Sequence, residues 1–212
     1  MFDALFFCRL PYGTVTGIDG YISMDIFLQI WGGAGYLLAK IFLSHAEGLR
    51  DDRKWRLAGW LMYILGLPAW VFLLAGRQNW IAAANEAGGG PSLILGLVLA
   101  WKNQRKAHPA VDRAVKIFTY LMIVIGVSCS LYTFGGITAF SQVLEIGVTI
   151  GFLLGSFLLA KRRPSGWLLY AMMIISMGTL MFIQGKVILI VQQAISLIFV
   201  ALGFIRALRR DH

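Results

Sequence analysis

Apolar residues along this chain fall in long unbroken runs. They do not alternate as in a half-buried strand, nor form the narrow stripe of a surface helix. Seven runs stand out, at 24–44, 57–76, 80–101, 114–131, 141–160, 167–184 and 186–208. A bilayer core about 30 Å thick needs about 20 apolar residues in a helix, so each run predicts one membrane-spanning helix. Little chain is left over. The expectation is an all-α integral membrane protein in one domain, 1–212, with seven crossings.

The third run breaks its own pattern with "AAANEAGGGPS" at 82–92. Asn85 and Glu86 are followed by Gly88, Gly89, Gly90 and Pro91. Pro91 has no amide hydrogen, so the carbonyl of Ala87 loses its helical partner, and the glycines soften the same turn. Irregular backbone at membrane depth is tolerated where it is packed in protein or lines a cavity. These four residues are therefore predicted to hinge a helix beneath a polar site.

A search for internal similarity finds a repeat. "GWLMYILGLPAW" from Gly59 matches "GWLLYAMMIISM" from Gly166 at a shift of 107, pairing Trp60 with Trp167 and Tyr63 with Tyr170. The same shift pairs Asn85 with Gln192, Glu86 with Gln193 and Gly96 with Gly203. The first span joins at a shift of 116, "QIWGGAGYLLAK" from Gln29 against "EIGVTIGFLLGS" from Glu145. Residues 24–101 thus read as one three-helix repeat, 141–208 as a second, and 114–134 as a linker helix. A single linker gives both halves the same direction across the bilayer, a parallel repeat about an axis along the membrane normal.

The formal charge of +9 raises the question of nucleic acid, which the placement of the charge answers. Fifteen Lys and Arg lie in alternate loops and at the C-terminus, against Arg9, Arg77 and Lys186 on the other side. Lys40 sits late in the first span and is expected to snorkel to the basic side. Positive residues mark the cytoplasmic face, so the N-terminus is expected outside, the C-terminus inside, and no nucleic acid as partner. A bacterial inner membrane is the expected location. Cys8 and Cys129 give no disulfide framework. "MFDALFFCRLPYG" lacks a basic start and a long apolar centre, so it reads as an outer-face segment and not a cleaved signal.

Polar groups within spans must face the bundle interior. They are Gln29, Asn85, Glu86, Gln142, Glu145, Gln192 and Gln193, all in the outer half of the bilayer by loop position. Two collars related by the repeat suggest an axial substrate pocket; for the glutamines, interhelical bonding that glues the bundle is an equal reading. Trp31, Tyr63, Trp70 and Tyr170 lie deep enough to stack a ring, and core packing accounts for each equally well. Trp55, Trp80, Trp101 and Trp167 sit at span ends, where interfacial belts are expected. Gly147, Gly151 and Gly155 form a close-packing stripe. No catalytic motif occurs, and His45, His108 and His212 lie in loops or at the terminus, so no enzyme activity, metal or cofactor is expected.

With "KRRPSGWLLYAMMIISMGTLMFIQGKVILIVQQAISLIFVALGFIRALRR" closing the chain, the sequence resembles the PnuC family of vitamin-precursor transporters. The basic loop, Trp167 to Tyr170, Gln184-Gly185 and Ala201 to Gly203 carry the resemblance. It departs at Gly166, where the family usually has asparagine, at Tyr170, often tryptophan, and in "AMMIIS", which leaves only Ser176 polar. Membership implies a three-plus-one-plus-three fold, like that of the SWEET sugar transporters, and facilitated passage of nicotinamide riboside, riboflavin or thiamine. The expected partners are such a small solute, lipids and, since small bundles associate, a second copy. The substrate-binding set would be Asn85, Glu86, Gln192, Gln193, Gln29, Glu145, Trp31, Trp70 and Tyr170. Two rival expectations are a SWEET-like sugar or proton-coupled carrier, and a cargo receptor or assembly protein that transports nothing.

Overall fold

A computed structural model describes residues 18–49, 51–76, 78–134, 136–137, 139–185 and 187–211, and every regular element among them is helical. The N-terminal segment with Cys8 and Arg9, and also Arg77 and Lys186, lie outside the described residues. In chain order the elements are α1 Ile18–Glu47, α2 Arg53–Gly76, α3 Trp80–Gly88, α4 Gly90–Trp101, α5 Pro109–Phe134, α6 Phe140–Ala160, α7 Ser165–Ile183 and α8 Val187–Asp211. Six of them, α1, α2, α5, α6, α7 and α8, are long and apolar enough to cross a membrane.

The third expected span is two short helices, α3 of 9 residues and α4 of 12. Neither reaches across a bilayer alone; end to end with Gly89 they cover about 33 Å at roughly 1.5 Å per residue. The break lies where Pro91, in the first turn of α4, has no N–H to give. The Gly89 N–H donates to the Glu86 carbonyl at 3.1 Å, a tightened turn. Its φ of −70° and ψ of −23° are ordinary right-handed values, open to any residue. Glycine is needed there for space: a Cβ on Gly89 would run into the Phe152 ring, and one on Gly88 would lie 2.8 Å from Met122. Close packing is thus one reason for glycine at these two positions.

α1 packs on α2 and α8, α6 on α7, α7 on α8, and α2 on both α3 and α4. α4 also packs on α6, while α5 stays peripheral, touching α3, α4 and α6 with only 11% of its apolar window buried. The tightest approaches recur in pairs. A Cβ on Gly59 would meet Leu43 at 2.7 Å and the Ala39 carbonyl at 3.2 Å; one on Gly166 would meet Leu159 at 2.9 Å and the Gly155 carbonyl at 3.1 Å. Gly35 abuts the Met62 carbonyl and Gly66, as Gly151 abuts the Leu169 carbonyl and Met173. Trp60 lies across Gly96, and Trp167 across Gly203. Every partner in these pairs is offset by 107 or 116. The stripe of Gly147, Gly151 and Gly155 faces Ser176, Met173 and Tyr170 of α7.

Trp167 is thus no belt residue. It is 1% exposed, because Gly203 opens a slot for its indole, whereas Trp80 and Trp101 are two-thirds exposed.

At the basic end the helices are tied by charge. Arg56 donates to Glu47 at 2.8 Å and to Asp52 at 2.7 Å; Arg162, from the α6–α7 loop, reaches Asp52 at 3.1 Å. Arg210 of α8 reaches Glu47 at 3.0 Å. Above this network an aromatic layer crosses the bundle. Tyr63 meets Tyr170 edge-on at 6.0 Å and Tyr36 at 5.0 Å, and Tyr36 stacks on Phe152 at 6.2 Å.

Candidate functional site

Between the aromatic layer and the opposite end lies a cavity of about 110 Å³, walled by α1, α2, α3, α6, α7 and α8. Its lining comes from the later turns of α2 and α7 and the early turns of α3, α6 and α8, which places it away from the basic end. Most of the wall is apolar, including Leu74, Phe152, Met173, Met177 and Met181. A few polar groups in an apolar wall is the usual make-up of a small-molecule site.

Those groups are held in a specific way. Tyr36 Oη donates to Glu86 Oε1. Asn85 Nδ2 donates to Thr149 Oγ1 at 3.3 Å, and Gln192 Nε2 to the Gly33 carbonyl at 2.9 Å. These two bonds mirror each other: Asn85 and Gln192 differ by 107, Gly33 and Thr149 by 116. One reaches from α3 to α6, the other from α8 to α1. Gly33 and Gly32 make the approach feasible, since a Cβ on either would lie 2.8 Å from Gln192 or from Trp70 Nε1. Trp70 Nε1 is buried with no partner among the described residues.

Lys40 lines the cavity too, 3% exposed, its Nζ 3.4 Å from Ser196 Oγ. The expected snorkelling does not occur: α1 continues to Glu47, and a layer of buried side chains separates Lys40 from the basic face. Glu145 is 8% exposed, lines the cavity, and makes no hydrogen bond or ion pair among the described residues; its Oε2 is buried without a partner.

Of the nine residues expected to bind substrate, Asn85, Glu86, Glu145, Gln192, Gln193 and Trp70 come together on this cavity. Three do not. Gln29 is half-buried on α1, about two turns before Tyr36, and does not line the cavity. Trp31 is 40% exposed against Phe27, because its face of α1 points out of the bundle. Tyr170 lies beneath the cavity, fully buried, its hydroxyl 2.8 Å from Ser156 Oγ and its ring on Tyr63. Gln142 bonds the Ser130 carbonyl at 3.2 Å and ties α6 to α5. Gly88, Gly89, Gly90 and Pro91 sit just below Asn85 and Glu86, at the α3–α4 break.

Tyr36, Lys40 and Thr149 are cavity residues that the sequence reading passed over. The signal for Lys40 was present, as a lone cation inside a spanning run. Its distance from the basic face, about 10 Å for seven residues of helix, is longer than a lysine side chain spans with ease.

Comparison of the chain with protein-family models, with curated proteins and with solved structures gave no match.

Proposed function

We propose that this chain is a multi-pass membrane carrier. It takes a small ring-bearing solute into the cavity between two three-helix repeats and passes it on by alternating access. The observation that carries the reading is the cavity itself: polar side chains from both halves converge on one hollow inside a bundle of apolar helices, where ionisable groups are expensive and mark solute paths. The three-plus-one-plus-three arrangement, with α5 as linker, is supported by the paired contacts at Gly59 and Gly166, Gly96 and Gly203, and Asn85 and Gln192. An outside N-terminus and inside C-terminus follow from the positive-inside rule, with a bacterial inner membrane as the location.

In this reading the cavity faces outward while the aromatic layer and the ion pairs close the inner end. Carriage then requires those pairs to part and the α3–α4 break to bend, with Gly88 to Pro91 as the hinge. The resemblance to vitamin-precursor carriers suggests nicotinamide riboside, thiamine or riboflavin. Cavity size orders them. About 110 Å³ is of the order of the roughly 150 Å³ void that holds one benzene ring. A single pyridine, pyrimidine or thiazole ring is favoured over the three fused rings of riboflavin.

Uptake of labelled nicotinamide riboside, thiamine, riboflavin and glucose into proteoliposomes tests this. Saturable uptake of nicotinamide riboside or thiamine, whose aromatic rings are not fused, is the expected outcome; none of any solute, with protein shown to be folded, removes the carrier reading. The unpartnered Glu145 favours a second reading, a proton-coupled carrier. Uptake driven by an imposed proton gradient, and lost in Glu145→Gln, would establish it; gradient-independent uptake would exclude it.

A further inference from the structure

Outside the cavity, the least balanced part of the molecule is the basic end. An open hollow of about 900 Å³ lies there, lined by the α1–α2 loop, the loops after α4 and α6, and the last turns of α8. Five arginines line it, with Arg56 behind them, and they face only Glu47, Asp51 and Asp52. Glu47 and Asp52 are already shared among Arg56, Arg162 and Arg210. Arg162 Nη2 and Arg210 Nε are buried with no acceptor among the described residues, and the Arg162 side chain is only 10% exposed. Arg206 Nη1 is taken by the Ser44 carbonyl at 3.0 Å, while Arg105 and Arg209 stand at the rim with no acceptor among the described residues.

Buried guanidinium donors without acceptors are costly. The excess charge is felt locally: burial, then the like charge of Arg56, pushes Arg162 down to about 10, with Asp52 pulling the other way. An anion seated in the hollow would supply the missing acceptors and balance the charge. Guanidinium forks match the paired oxygens of a phosphoryl group better than a point anion. The hollow also lies at the end of the bundle where lipid phosphates or soluble phosphates would meet it.

We propose that this hollow is a phosphoryl-binding site, in which Arg162 and Arg210 grip the phosphoryl oxygens from below and Arg105 and Arg209 close over them from the rim. The site does not depend on what the cavity carries. The ligand's phosphoryl group belongs either to an anionic lipid or to a soluble phosphate compound.

The test uses the full chain. In nanodiscs of phosphatidylcholine alone, inorganic pyrophosphate is titrated by calorimetry. In nanodiscs containing phosphatidylglycerol, lipid retained on release into detergent is counted by native mass spectrometry. Arg105→Gln and Arg209→Gln remove rim charges that hold no ion pair, so the fold is kept; Arg113→Gln, basic but outside the hollow, is the control. Pyrophosphate binding weakened about tenfold by each rim variant, and unchanged in Arg113→Gln, assigns a soluble phosphate. Retention of one phosphatidylglycerol, lost in the rim variants alone, assigns a lipid headgroup. Neither form of binding in folded protein, or an equal loss in Arg113→Gln, overturns the site.

Discussion

The two sets of helices α1–α4 and α6–α8 share their packing but not their chemistry. Trp60 on Gly96 has its match in Trp167 on Gly203, and the Asn85–Thr149 bond its match in Gln192–Gly33. Around the cavity the matches fail in one direction. Lys40 stands opposite Ser156 in the alignment, Glu86 opposite Gln193, Tyr36 opposite Phe152 and Trp70 opposite Met177. The glycine–proline break of the first set faces an unbroken α8. Most of the chargeable groups are thus in one half, and the other supplies shape. Glu145 is the exception, a carboxylate where the first half has Gln29. Slots and knobs recur because both sets of helices must pack; the cavity between them takes its lysine and its tyrosine from the first set only.

Four experiments would break or sharpen that contrast. The largest effect is expected from the shared scaffold. Trp60→Ala and Trp167→Ala should each lower stability by about 3–5 kcal/mol, and by amounts within about 1 kcal/mol of each other, in detergent unfolding titrations. A clear inequality would break the equivalence of the two slots. Next, Asp52→Asn should cost about 3 kcal/mol, since it leaves Arg162 buried without its carboxylate and Arg56 with Glu47 alone. If the ion pairs hold the inner end shut, the same variant, in a background with Cys8 and Cys129 replaced, raises the accessibility of single cysteines placed near Tyr170 to a thiol reagent added from the basic side; unaltered labelling would deny the latch.

The asymmetry itself is tested third. Glu86→Gln should weaken solute binding about tenfold or more, the loss of a charge-assisted bond, whereas Gln193→Ala changes it by no more than about threefold. Equal losses would mean that the halves share the chemistry as well as the packing. The smallest effect concerns the break. Pro91→Ala restores an amide donor and should leave stability within about 1 kcal/mol, while slowing uptake if bending at Gly89 limits the rate. Unchanged uptake would leave the break as packing alone.

Much of the fold was legible in the sequence because membrane burial writes it plainly. Runs of about 20 apolar residues marked the six helices long and apolar enough to cross a membrane, and the 107 and 116 offsets recur in the glycine contacts. The break at Gly89 was visible through Pro91, which lacks a donor in any fold. Helix facing was harder to read. Trp31 and Trp70 both sit deep in apolar runs, and only neighbours decide that one turns outward and the other toward Gly32. Trp167 looked interfacial by its place at a run's end, since nothing local announces the slot at Gly203. Lys40 was assigned to the basic face because long cations usually reach water; here the protein closes over it and leaves the cavity as its polar surrounding. A residue's depth follows from counting along one helix, whereas its direction depends on all the helices at once.

The peripheral place of α5 has a consequence for assembly. It touches α3, α4 and α6, and little of it is buried. The closest approaches between the two helix sets, from Gly33 to Gln192 and from Gly89 to Phe152, bypass it. Continuity of the chain through α5 therefore orients the second set without holding it to the first. Two separately made polypeptides, 1–107 and 108–212, should find each other in the bilayer and rebuild the same cavity, as a gene split at the α4–α5 loop would require.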